Sequence, residues 1–130
     1  MTELAAAVLL ATGIATHYDP GVMDGTVARR QAWGHIQTGQ GEVGYAAMLD
    51  RADIGRTVWL LHPNGTVVGP VLIADCGAKK DRRRLQQIGF AVDLSFELAV
   101  EFGSVGSPIK NFEVWSAPPV GRDRWLVWDE

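Results

Sequence analysis

The chain has 130 residues, 47% of them hydrophobic and 21% charged, with a formal net charge of -3. That length suits one domain with a buried core, the usage is globular rather than disordered, and the charge offers no attraction for nucleic acid or an anionic membrane. A single cysteine, Cys76, excludes an intrachain disulfide and a cysteine-rich zinc site.

Residues 4–15 open the chain as an apolar run too short to span a bilayer. Met1, Thr2 and Glu3 precede it without a lysine or arginine, so it makes a poor secretory signal. Its end reads instead as a first strand over residues 13–18, closed by the turn Asp19-Pro20-Gly21, where proline pre-sets φ and glycine permits reversal. Residues 24–40 are polar and glycine-spaced without a sustained period, and read as a long loop holding at most one short strand. Residues 45–52 have the composition of two helical turns, with Gly55 just beyond.

The clearest signal follows. Thr57-Val58-Trp59-Leu60-Leu61 and Thr66-Val67-Val68 flank Asn64-Gly65, a strong hairpin indication. The second arm runs on through Val71-Leu72-Ile73-Ala74 to Asp75, interrupted by Gly69-Pro70 as a bulge or bend. Residues 79–84 (KKDRRR) read as a charged loop, either a solvated one or a contact for the carboxylates of an acidic polymer. Phe90-Ala91-Val92 is a short strand leading into Asp93. Ser95 is placed to cap a helix with Leu94, Leu98 and Phe102 on one face and Gly103 at its end. Residues 109–115 alternate as a strand, Pro118-Pro119 stop it, and residues 125–128 suggest a final edge segment. Six or seven short strands with one or two short helices favour a small β-barrel with helices at its ends. The expected division is a lead-in over residues 1–12, a barrel over 13–117 and a tail over 118–130.

Asp75 and Asp93 each stand at the exit of an apolar strand. Should those strands be neighbours, both carboxyls reach one mouth of the barrel, where burial and mutual repulsion raise one pKa. Simpler roles are open to both: Asp75 as a turn former before Gly77, and Asp93 as a partner for the N–H groups of the following helix. Trp59 and Trp115 lie inside strand patterns and read as core, whereas Trp33 in the polar loop is either a sugar-stacking platform or a loop anchor. His17, His35 and His62 show no metal-ligand spacing, so neither a metal nor a cofactor is expected.

The order of motifs resembles the expansin, barwin and rare lipoprotein A group. Gly13-Ile14-Ala15-Thr16-His17-Tyr18 is similar to its opening G-x-A-T/S-x-Y strand, and Gly44-Tyr45-Ala46-Ala47 to its T-A-A stretch. Val71 to Gly77 resembles V-x-V-x-D-x-G, and Ala91-Val92-Asp93-Leu94-Ser95 with Leu98-Ala99 and Phe102-Gly103 resembles the D-L-S signature with its A-F and glycine. The resemblance implies a mainly β fold, a six-stranded double-psi β-barrel. From expansins it implies a monomer that binds and loosens cell-wall polysaccharide without hydrolysis, in the envelope or outside the cell. The residues carried over are Asp93 as acid or principal polar contact, Asp75 as its partner, and Thr16, with His17, Tyr18 and Trp33 as further groove residues. Lytic transglycosylases among the rare lipoprotein A relatives use a histidine after T-A-A. Here that position is Met48, which cannot transfer a proton, leaving His17, His35 or Glu42 to replace it. A third reading is a non-catalytic protein-interaction barrel.

Overall fold

The computed structural model describes residues 6–119. Six strands, β1 (Leu9–His17), β2 (Gly44–Met48), β3 (Thr57–Leu61), β4 (Val67–Cys76), β5 (Phe90–Leu94) and β6 (Ile109–Trp115), close into a barrel in the order β1-β5-β2-β4-β3-β6. The pairs β1/β5 and β2/β4 are parallel, and the other four contacts are antiparallel. Exchanging β1, β2 and β3 for β4, β5 and β6 reproduces every pairing, so the topology has an approximate twofold relation between its halves.

Alternation along the strands fills the barrel. Val58 and Leu60, Val71 and Ile73, Val92 and Leu94, and Phe112 and Val114 share its buried interior. Leu72 and Ala74, on the other face of β4, are also buried, because Met23 and Ile36 cover them from outside. Coverage on both faces is why Val71 to Ala74 reads as an unbroken apolar run. Burying a side chain such as Met23 there contributes roughly 1.5–3 kcal/mol.

Met23 belongs to helix α1 (Val22–Ala32), and Ile36 to the segment after it, where a loop is expected from sequence for both. The start of α1 has Gly21 in the left-handed region and no side-chain cap, and only Met23 and Thr26 are buried, so it carries neither a capping signal nor a full apolar stripe. The second correction is β2, whose Tyr-Ala-Ala-Met stretch has helical composition but pairs with β4 on one side and β5 on the other. Pairing and burial on both sides override intrinsic propensity. The charged stretch after β4 is a 3-10 turn, Lys79–Asp81, followed by helix α2 (Arg82–Gln87). With α3 (Phe96–Glu101) the helices number three among the described residues, against the one or two expected. Strand β1 starts at Leu9, ahead of Gly13, because Leu9 to Gly13 pair with β6.

Other expectations hold. The Asn64-Gly65 hairpin forms between β3 and β4, with Leu61 opposite Val67. Across it Val58 faces Val71 and Leu60 faces Val68, so β4 carries one extra residue at Gly69-Pro70, a bulge whose peptide bond is cis. Ser95 caps α3 by accepting from the Leu98 N–H, and Gly103 closes it at positive φ. Trp59 and Trp115, expected in the core, are instead only partly buried; Trp59 packs over Gly69, where an added Cβ would meet its ring at 2.3 Å. The expected edge segment at 125–128 lies outside the described residues.

Candidate functional site

The ends of four consecutive strands build the site. Thr16 on β1 is opposite Asp93 on β5, Asp93 is opposite Ala47 on β2, and Ala47 is opposite Asp75 on β4. One row of residues thus crosses the barrel wall as Thr16, Asp93, Ala47, Asp75. The sequence leads one to expect that the strands bearing the aspartates are neighbours; instead β2 runs between β5 and β4. At ordinary strand spacing their backbones lie on the order of 10 Å apart. Both aspartates nevertheless line one open cleft of about 340 Å³, because the intervening residue is alanine, whose methyl group leaves the space above it empty. Thr16, Tyr18, Ala47 and Phe90 form part of the same lining.

The two carboxyls are held differently. Asp75 accepts 2.8 Å from Arg30 Nη2 and 2.7 Å from the Tyr18 hydroxyl, one bond to each carboxylate oxygen. The Arg30–Asp75 pair is largely shielded, with side chains 13% and 21% exposed. Burial pulls the Asp75 carboxyl up, but Arg30, Tyr18 and the Cys76 N–H together outweigh it and leave the pKa below the ordinary value. Asp93 has one such partner, the Thr16 hydroxyl, which donates to Oδ1 at 2.8 Å. Burial pushes Asp93 up, Thr16 and His17 oppose that, and the Asp75 charge adds to it; the net effect is a raised pKa. Tyr18 is also raised, first by burial and then by Asp75, so its hydroxyl stays a donor. The two neighbouring carboxyls are thus shifted in opposite directions, Asp75 below and Asp93 above the ordinary value.

Neither of the simpler roles accounts for the pair. Ser95, not Asp93, caps α3, and Asp75 is spent on Arg30 and Tyr18. Arg30 was not evident from the sequence. It lies in the last turn of α1, the segment that reads as a loop, and reaches Asp75 only because α1 packs over β4. Had the helix been recognised, its paired Arg29 and Arg30 near the C-terminus would have been the signal. Ala47 was equally silent, since a small residue matters here for the space it leaves.

Other candidates sit elsewhere. His17 donates Nδ1–H to the Tyr18 carbonyl and accepts from the Gly106 N–H at Nε2, and lines a separate hollow with Gly106 and Pro108. Trp33 is 61% exposed at the end of α1, with its ring 5.6 Å from that of His35. His35 accepts from Arg30, so Trp33 stands beside the aspartates' supporting residues rather than in their cleft. Glu42 is occupied by its own loop, where the Gly39 N–H leads a set of donors that hold it down to about 2. Met48 is buried in the barrel interior. Among the described residues no histidine lines the aspartate cleft, and no group of three or more His, Cys, Asp or Glu is placed to hold a metal ion. No helix among the described residues is long and apolar enough to cross a membrane.

No family model, curated protein or solved structure matches the chain.

Proposed function

We propose that this is a double-psi β-barrel of the expansin, barwin and rare lipoprotein A kind that grips cell-wall polysaccharide in the aspartate cleft without hydrolysing it. The two parallel pairs, the crossed strand order and the approximate twofold relation support the double-psi reading. The observation that carries the functional reading is the row Thr16, Asp93, Ala47, Asp75 lining one open cleft. A sugar presents hydroxyls that both donate and accept. Asp75 can accept only through the lone pairs that Arg30 and Tyr18 leave, Asp93 accepts or donates with its protonation state, and Phe90 and Tyr18 offer apolar faces beside them.

Hydrolysis needs, beside the acid, a second carboxylate that either activates water or attacks the sugar itself. Asp75 is poorly suited to both, because both its oxygens are engaged and its pKa is lowered. Asp93 has the bias of an acid, and that one feature favours a second reading, lytic cleavage, in which the substrate's own hydroxyl attacks and no activated water is needed. Against it stand Met48 and the lack of a histidine in the cleft among the described residues.

The test is retention on insoluble peptidoglycan, cellulose and chitin, comparing wild type with Asp93→Asn and assaying the supernatant for released sugar. The expected result is retention on at least one polymer, weakened about tenfold or more in Asp93→Asn, with no soluble fragments. Equal retention of both proteins overturns the site. Anhydro-sugar release that Asp93→Asn abolishes replaces binding with the lytic reading.

A further inference from the structure

A second cleft, of about 540 Å³, adjoins the first and shares with it the segment Asp75, Cys76, Gly77 and Ala78. Arg30, Arg51, Lys79 and Arg82 line it, and among the described residues Asp75 is the only acidic one in its lining. Arg30 already neutralises Asp75. Arg82 pairs with Asp50 across an exposed surface. Arg51 and Lys79 are exposed and form no ion pair or side-chain hydrogen bond among the described residues. The cleft is therefore locally positive on a chain whose formal net charge is -3.

We infer that this second cleft is a subsite for an oxyanion carried by the polymer, so that an acidic glycan is preferred over a neutral one. The inference rests on the proposed role of the aspartate cleft, because a glycan residue seated there would lead its neighbour over the shared Asp75–Ala78 segment into the basic cleft. Arg51 supplies a planar donor fork suited to a carboxylate or phosphate, and Lys79 a compact charge free to follow it. Overall negative charge repels a polyanion, so any binding depends on this local patch rather than on the molecule's general field.

The test is affinity electrophoresis at low ionic strength through gels containing polygalacturonate, a phosphomannan or neutral hydroxyethylcellulose, which separates carboxylate from phosphate recognition. Wild type is expected to bind at least one acidic glycan about tenfold tighter than the neutral one, as two charge-assisted contacts allow. Arg51→Gln/Lys79→Gln should lose most of that preference. Arg83→Gln/Lys110→Gln removes the same charge from exposed positions that line neither cleft, and should behave as wild type. If wild type shows no acidic preference, or both double variants lose it equally, the subsite is overturned while the aspartate cleft stands or falls with Asp93→Asn. If acidic binding is lost in Arg51→Gln/Lys79→Gln but untouched in Asp93→Asn, the subsite stands and the aspartate reading fails. No binding to any glycan overturns both.

Discussion

Asp93 is a side chain whose charge works against the fold. Its pKa is raised in the folded state, chiefly by burial. Below the ordinary carboxyl value, about 3.9, it is protonated folded or unfolded and costs nothing. As pH rises through its folded value the native state must ionise a half-buried group, and stability falls. Asp75 has the opposite sign: with a lowered folded pKa it adds stability above the ordinary value and loses it as pH falls through the folded one. Asp93→Asn keeps an oxygen for Thr16 and removes the charge, so it should be more stable than wild type at pH 7 and lose that advantage near pH 3. Urea unfolding at the two pH values measures this. An equal difference at both would mean the Asp93 charge is not strained. A residue that lowers stability yet stays ionisable at a cleft is the trade-off expected of a working site.

Among the elements, β1 depends on one residue without a side chain. Gly13 has φ +144, and a Cβ there would lie 2.0 Å from the Gly89 carbonyl oxygen, which accepts from Ile14 N–H at 2.8 Å. Backbone on both sides leaves nothing able to move aside. Gly13→Ala should cost about 2–3 kcal/mol or more, read as a lower urea midpoint; a change within about 0.5 kcal/mol would show that β1 does not need this approach. The same elements show what could be read in advance. Strands β3 and β4 announce themselves through β-branched residues and the Asn64-Gly65 turn, β5 through its short apolar stretch Phe90-Ala91-Val92, and α3 through Ser95 and Gly103. Strand β2 does not, because Ala46, Ala47 and Met48 are extended only through their pairing with β4 and β5. Helix α1 does not, because one packed face against β4 holds it together rather than caps or a stripe. Both aspartates were legible as carboxyls at apolar strand exits. Arg30, which sets the state of Asp75, was hidden within the unrecognised helix.

At the scale of the whole molecule, the approximate twofold relation explains why the site lies where it does. Exchanging the halves carries Thr16 onto Asp75 and Asp93 onto Ala47, so the row crosses the pseudo-axis where β2 meets β5. Symmetry fixes the four positions, and the sequence then breaks it. One end becomes a hydroxyl beside an acid-biased carboxyl, and the other a carboxylate clamped by Arg30 and Tyr18. A groove with unlike ends suits a polymer with a chemical direction. The most direct test of that claim is an NMR titration of the intact chain with soluble cello-, chito- and peptidoglycan oligosaccharides, following every backbone amide. The prediction is that shifts for one of them gather at residues 15–18, 46–48, 75–78 and 92–94. Shifts gathered instead on β3 and β6, or none with any of the three, would contradict it.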